Sequence, residues 1–139
     1  MPKKTQDSPA RQVALRVVGF AKDKQAIDPV VLEVGSATNL CDYFVICSAS
    51  TGVQARAIYE EISHRCKAEG VKVHHWAADE NNTWIMVDLF DVVVHIFTEE
   101  ARAFYNLEHL WCQAPRVKPT IKRARAKVAI RKKPAARKR

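Results

Sequence analysis

Glycine is scarce in this sequence, at four in 139 residues. None falls in a GxGxxG or GxxxxGK spacing, so there is no glycine-rich loop to cradle a phosphate, and the dinucleotide-binding and P-loop classes are excluded. Metal-ligand spacings are missing as well. The four cysteines, Cys41, Cys47, Cys66 and Cys112, form no CxxC, and the five histidines form no HxxxH, which argues against a structural zinc. His74 and His75 are adjacent, and on a strand they would point to opposite faces and could not hold one ion together. No apolar run approaches the roughly 20 residues of a membrane span, and the polar start MPKKTQDSP suits neither a signal peptide nor an organelle presequence. These absences predict no cofactor, no metal and no membrane attachment, reduced thiols, and a cytoplasmic location.

Acid is missing from one end. From Arg116 to Arg139 there are twelve Lys or Arg and no Asp or Glu, while Met1 to Pro115 holds eleven bases against fifteen acids, a net charge of −4. The overall charge of +8 therefore belongs to a basic tail on a mildly acidic body. A solvated run of Lys and Arg attracts phosphate backbones with little regard to sequence. The expected organisation is a short N-terminal tail over 1–9, one domain over 10–115, and a disordered basic tail over 116–139. A chain of this length, nearly half apolar, can bury one moderate core.

What remains reads as alternating elements. Ser8 and Pro9 open a helix to Asp23, with Val13, Leu15, Val17, Val18 and Phe20 at helical spacing. PVVLEV (Pro29 to Val34) and YFVICSA (Tyr43 to Ala49) are strands, the second apolar enough to be covered on both faces. Ser50 is the expected cap of a second helix ending at Gly70, with Val53, Ala57, Ile58, Ile62 and Cys66 as its stripe. Strands follow at Val71 to Trp76, Thr83 to Asp88 and Val92 to Phe97, the last two joined by a tight turn at Leu89 to Asp91. Thr98, Glu99 and Glu100 start a final helix, expected to pack through Phe104, Leu107 and Trp111. The order αββαβββα predicts an α/β (α+β) fold, a mixed β-sheet of about five strands with helices packed on it.

Candidates for catalysis are few. A nucleotidyltransferase needs a Gly-Ser turn and then two carboxylates two apart on one strand, to hold the metal ions of phosphoryl transfer. Gly35, Ser36 and Asp42 approach that pattern, but Phe44 stands where the second carboxylate belongs. His95 lies mid-strand with no nucleophile or acid at a telling spacing, and reads as a half-buried histidine bonded to a neighbouring element. A residual nucleotide-handling enzyme is thus the alternative reading, and recognition the main one. Trp76, Trp84, Tyr105 and Trp111 are amphipathic anchors of the kind that dominate interfaces, with Trp84 assigned to the core and Trp76, beside a polar loop, among the surface candidates. Asp79, Asp88, Asp91 and Glu108 supply an acidic rim.

The stretches PVVLEV, DYFVICSASTGVQARAI and WIMVDLFDVVVHIFTEEARAFYNLEHLW together resemble the ribosomal silencing factor family, also called Iojap-like proteins, from about Ala10 to Pro115. The resemblance implies a non-catalytic domain related in fold to nucleotidyltransferases. It also implies a translational repressor that sits on the intersubunit face of the large ribosomal subunit, on that subunit's ribosomal protein number fourteen, and keeps the small subunit from joining when nutrients are short. The expected protein-binding residues are Trp76, Asp79, Asp88, Asp91, Tyr105, Glu108 and Trp111. The expected contacts to ribosomal RNA are Lys118, Lys122, Arg123, Arg125, Arg131, Lys132 and Lys133 in the tail, which rest on charge alone. A weak homodimer off the ribosome is a further association left open. Where the family pattern has a Glu-Gly pair this chain has Ala77 and Ala78, and where it has Gly before DVVVHIF this chain has Phe90.

Overall fold

A computed structural model describes residues 8–117. Helix α1 spans Pro9–Asp23, β1 Ile27–Glu33, β2 Tyr43–Ala49, α2 Gly52–Ala68, β3 His75–Ala78, β4 Trp84–Asp88, β5 Val92–Thr98, α3 Glu99–Tyr105, α4 Leu107–Leu110 and β6 Arg116–Val117. The six strands form one sheet in the order β3-β4-β5-β2-β1-β6. β2 and β5 run parallel in its centre, and the other pairs are antiparallel. That central position explains the uninterrupted apolar sequence of β2: every residue is buried except Phe44, which is partly so.

The mixed α/β class expected from the sequence is present, with six strands instead of about five. The added strand is Arg116–Val117, which pairs with Leu32 and Val31 of β1. The boundary placed at Pro115 therefore cut through the sheet. Val117 is buried in the main core, and the Glu33 amide donates to the Pro115 carbonyl at 2.8 Å. The tail candidates Lys118, Lys122, Arg123, Arg125, Arg131, Lys132 and Lys133 lie outside the described residues.

Helices α1 and α2 cover one face of the sheet. Ala14, Val17, Val18, Ile58, Ile62 and Cys66 pack there with Val45, Cys47, Val87, Val94 and Ile96. Both helices are capped by side-chain oxygens: Ser8 accepts from the Arg11 amide as expected, while α2 is capped by Thr51, which accepts from the Gln54 amide. Ser50, the expected cap, instead donates its own amide to Gln54 Oε1 at 2.7 Å. The register of the α2 stripe also differs, because Val53 is 82% exposed and Ala55 and Tyr59 turn inward.

The opposite face is covered by much less. Here Leu32, Ile46 and Phe97 pack under Ala101 and Ala114, with Phe44, Trp84, Val93, Leu107 and Trp111 only partly buried. The cause is a break in the last helix. Asn106 takes a left-handed conformation at φ 48°, so the single helix expected from Thr98 to Trp111 becomes two short ones. Asn tolerates that conformation better than most residues. The break turns Phe104 away from the sheet, leaving it 78% exposed, while Leu107 and Trp111 still pack against it.

Candidate docking face

Strand alternation decides which side chains reach the half-covered face. In β4, Ile85 and Val87 are buried beneath α1 and α2, so Trp84, Met86 and Asp88 point the other way. Register then places Met86 opposite both Ala77 and His95, and Trp84 opposite Phe97. The result is a shallow, largely apolar hollow of about 250 Å³ lined by Ala77, Ala78, Asp79, Trp84, Met86 and Tyr105. The Trp84 and Tyr105 rings are 4.6 Å apart, and Phe104 meets Tyr105 edge-on at 5.0 Å.

The hollow has a rigid rim. Asp79 accepts from the amides of Thr83 (2.7 Å) and Trp84 (3.0 Å) and from the Thr83 hydroxyl, which closes the β3–β4 loop. Burial works against its charge, but these hydrogen bonds outweigh it and hold the carboxyl below its usual range. At the far end of the strands Asp88 accepts from the Phe90 amide at 2.8 Å, and the Asp91 carbonyl accepts from the amides of Asp42 and Tyr43. Asp42, Asp88 and Asp91 gather there around Cys41. Its thiol is pushed up to about 11, first by burial and then by these carboxylates.

Beneath the face lies His95, 6% exposed, whose Nδ1 accepts from the Trp84 indole N–H at 3.1 Å. Burial pushes its pKa down to about 4, so it is neutral at physiological pH. The expected bond to a neighbouring strand is therefore present, with the ring more deeply buried than the half-buried expectation. Phe44 packs edge-on to His95 and to Trp111, at ring-centroid distances of 4.8 and 5.2 Å. At the position where a nucleotidyltransferase would carry its second carboxylate, the chain has an aromatic ring inside an aromatic cluster.

Of the seven protein-binding candidates, the structure brings Asp79 and Tyr105 to one hollow. Asp88 and Asp91 stand at the strand ends, and Trp111 serves mainly as packing against Phe44. Two differ from expectation. Trp76 lies on the opposite side of the sheet, stacked on Tyr59 of α2 at 4.4 Å, because its neighbour Ala77 takes the docking side. Glu108 is no rim residue: its oxygens accept from Arg102 Nε and Nη2 at 2.9 and 3.0 Å, and it lies 3.6 Å from Arg116. Arg102 also donates to Ser48 Oγ and to the Ile27 carbonyl, which ties the helix break to β1 and β2. Those bonds from Arg102 hold the Glu108 carboxyl below its usual range. Met86, Ala77, Ala78 and Phe104 were missed as site residues. The alternation in WIMVD was a signal for Met86, whereas nothing local marks the helix break that exposes Phe104.

This arrangement defines a mixed α/β domain with one armoured face and one open, aromatic, acid-rimmed face. The chain matches the family described as "Ribosomal silencing factor during starvation" over residues 6–139, and it belongs to that family. It is 39% identical to the ribosomal silencing factor of Bacillus subtilis over 93 residues, which is 67% of this chain and 79% of that protein. A crystal structure from Bacillus halodurans superposes with a TM-score of 0.65 at 34% identity, covering 77% of this chain and 94% of the other. A Chromobacterium violaceum structure shares the fold, with a TM-score of 0.71 at 24% identity over 73% of this chain and 85% of the other.

Proposed function

We propose that this ribosomal silencing factor binds the large ribosomal subunit through ribosomal protein number fourteen of that subunit and blocks joining of the small subunit by occupying space. The observation that carries the reading is the open face around Ala77, Ala78, Asp79, Trp84, Met86 and Tyr105, a hollow of about 250 Å³. A monomer that leaves aromatic and aliphatic side chains uncovered in one place offers them to a partner. The flanking carboxylates of Asp79, Asp88 and Asp91 suit a basic ribosomal protein, because complementary charge raises the association rate and fixes orientation. A domain of this size can cover about 800 Å² per partner, enough for a specific interface. Occlusion needs no turnover, and the Phe44 ring cluster at the failed carboxylate position is in keeping with a regulator that acts without catalysis in the cytoplasm.

The basic tail adds sequence-independent affinity for ribosomal RNA, through Lys118, Lys122, Arg123, Arg125, Arg131, Lys132 and Lys133. The test is reassociation of purified subunits followed by light scattering. Wild-type protein slows joining and sediments with the free large subunit. Ala77→Lys, which fills the hollow and sets a like charge against a basic partner, restores joining while circular dichroism and melting stay unchanged. Equal inhibition by a folded Ala77→Lys protein places the partner surface elsewhere.

A further inference from the structure

Trp76 does not belong to the docking face, and its surroundings have a different chemistry. Between α2 and β3 runs a groove of about 390 Å³ whose lining includes Tyr59, Ser63, Lys67, Lys72 and Trp76. Tyr59 and Trp76 stack with an interplanar angle of 27°, and the Arg56 guanidinium carbon lies 5.6 and 5.2 Å from their ring centroids. Trp76 is 38% exposed although it is a large aromatic on an edge strand. Arg56 is held by Glu60 at 3.1 Å and so offers a flat guanidinium plane with its charge partly neutralised. Lys67 and Lys72 differ: both are exposed, and no ion pair among the described residues engages either one.

We propose that this groove is a contact for single-stranded RNA, in which a splayed base stacks on the Trp76–Arg56 platform and Lys67 and Lys72 hold the flanking phosphates. Each component has a physical role. A base has a π-face whatever its identity, so an aromatic ring or a guanidinium plane binds it without reading sequence. Two unpaired ammonium groups beside the stack supply the counter-charge that a phosphate backbone needs and an apolar protein partner does not. The surface lies across the sheet from the docking hollow, since Trp76 and Ala77 alternate on β3. The domain can therefore hold a protein on one side and RNA on the other. The groove makes a contact of fixed geometry.

The test uses the full chain and a fluorescein-labelled single-stranded RNA 12-mer, followed by anisotropy across a salt series, because the probe needs no ribosome and does not depend on the docking reading. The tail contributes equally to every variant. Lys67→Gln with Lys72→Gln removes two phosphate contacts and lowers the slope of log affinity against log salt by about 1.4, at ~0.7 per phosphate on a single strand. Trp76→Leu weakens binding about tenfold with the salt slope unchanged, the signature of a lost stack. A 5-bromouridine-substituted RNA cross-links to peptides containing Trp76 or Tyr59. Wild-type affinity and slope in the lysine double variant, with cross-links confined to residues 118–139, overturns the proposal. So does a double variant that keeps its RNA affinity and slope but loses large-subunit binding, which makes the groove a protein contact.

Discussion

The indole N–H of Trp84 donates to Nδ1 of His95 across β4 and β5, at 3.1 Å. That bond fixes the tautomer, because Nδ1 must be bare to accept and the ring proton must sit on Nε2. Nε2 is buried without a hydrogen-bond partner. Protonating the ring would place a charge in a buried, apolar site, and that burial pushes the pKa down to about 4.

Stability should therefore carry a histidine-dependent loss on acidification. In the unfolded chain His95 titrates near 6.5 and in the folded one near 4, so the unfolded state binds the extra proton between those values and stability falls as pH drops through that window. The full effect approaches about 3 kcal/mol near pH 4. Urea denaturation at pH 7, 6 and 5 measures it, and His95→Phe should flatten the curve between pH 7 and 5. Parallel curves for the two proteins would mean that His95 is solvated and free to titrate.

Glu108 should behave as a partly buried ion. Arg102 is 13% exposed, and removing its partner leaves a guanidinium short of a counter-charge. Glu108→Gln is expected to cost about 2 kcal/mol. Arg116 is 62% exposed, so Arg116→Ala should cost under ~1 kcal/mol through its side of the same carboxylate. Chemical denaturation of both variants gives the comparison, and similar losses would show that Glu108 mainly anchors β6.

Phe90 stands in the turn between β4 and β5 at φ 77°, a left-handed conformation that suits glycine. Phe90→Gly should relieve about 1 kcal/mol of backbone strain, partly offset by the greater freedom of the unfolded chain, so that melting temperature holds or rises. A loss above ~1 kcal/mol would show that the contact of Phe90 with the His74 ring, 4.2 Å away, outweighs the strain.

Gly52 ties the start of α2 to the rim of the docking hollow. A Cβ added there would run into the backbone carbonyl of Asn81, which a rotamer change cannot move. Gly52→Ala should cost about 1–3 kcal/mol and disturb the loop that Asp79 closes. Subunit-joining assays at a temperature where the variant is still folded should show weaker inhibition. Full inhibition with lowered stability would separate the loop from the docking face.

Removing residues 118–139 should flatten the salt dependence of large-subunit binding without abolishing binding at low salt, since a basic run contributes through counterion release. Loss of binding at every salt concentration would make the tail the primary contact.

The sequence by itself determined α1 to the residue, the apolar strand β2 covered on both faces, the Thr98 cap and the family, because each rests on local spacing or on a long unbroken pattern. It also marked the chemistry of the charged and aromatic residues. Only the tertiary structure decided which of them meet. The side of the sheet that Trp76 takes depends on the register of β3 against β4, and the expected Val71 to Trp76 strand in fact begins at His75. A one-residue slip in that register would exchange every side chain of the strand between faces. Glu108 and Arg102 are six residues apart, no helical neighbour spacing, and they meet because the chain turns at Asn106 and Arg102 is held from β1 and β2. Arg116 and Val117 read as the start of a charged tail, yet an open edge of β1 lies within reach and their backbone amides and carbonyls pair with it. The open docking face is likewise a consequence of packing: two short helices cover less of the sheet than one long helix would, and what they leave bare is settled in three dimensions.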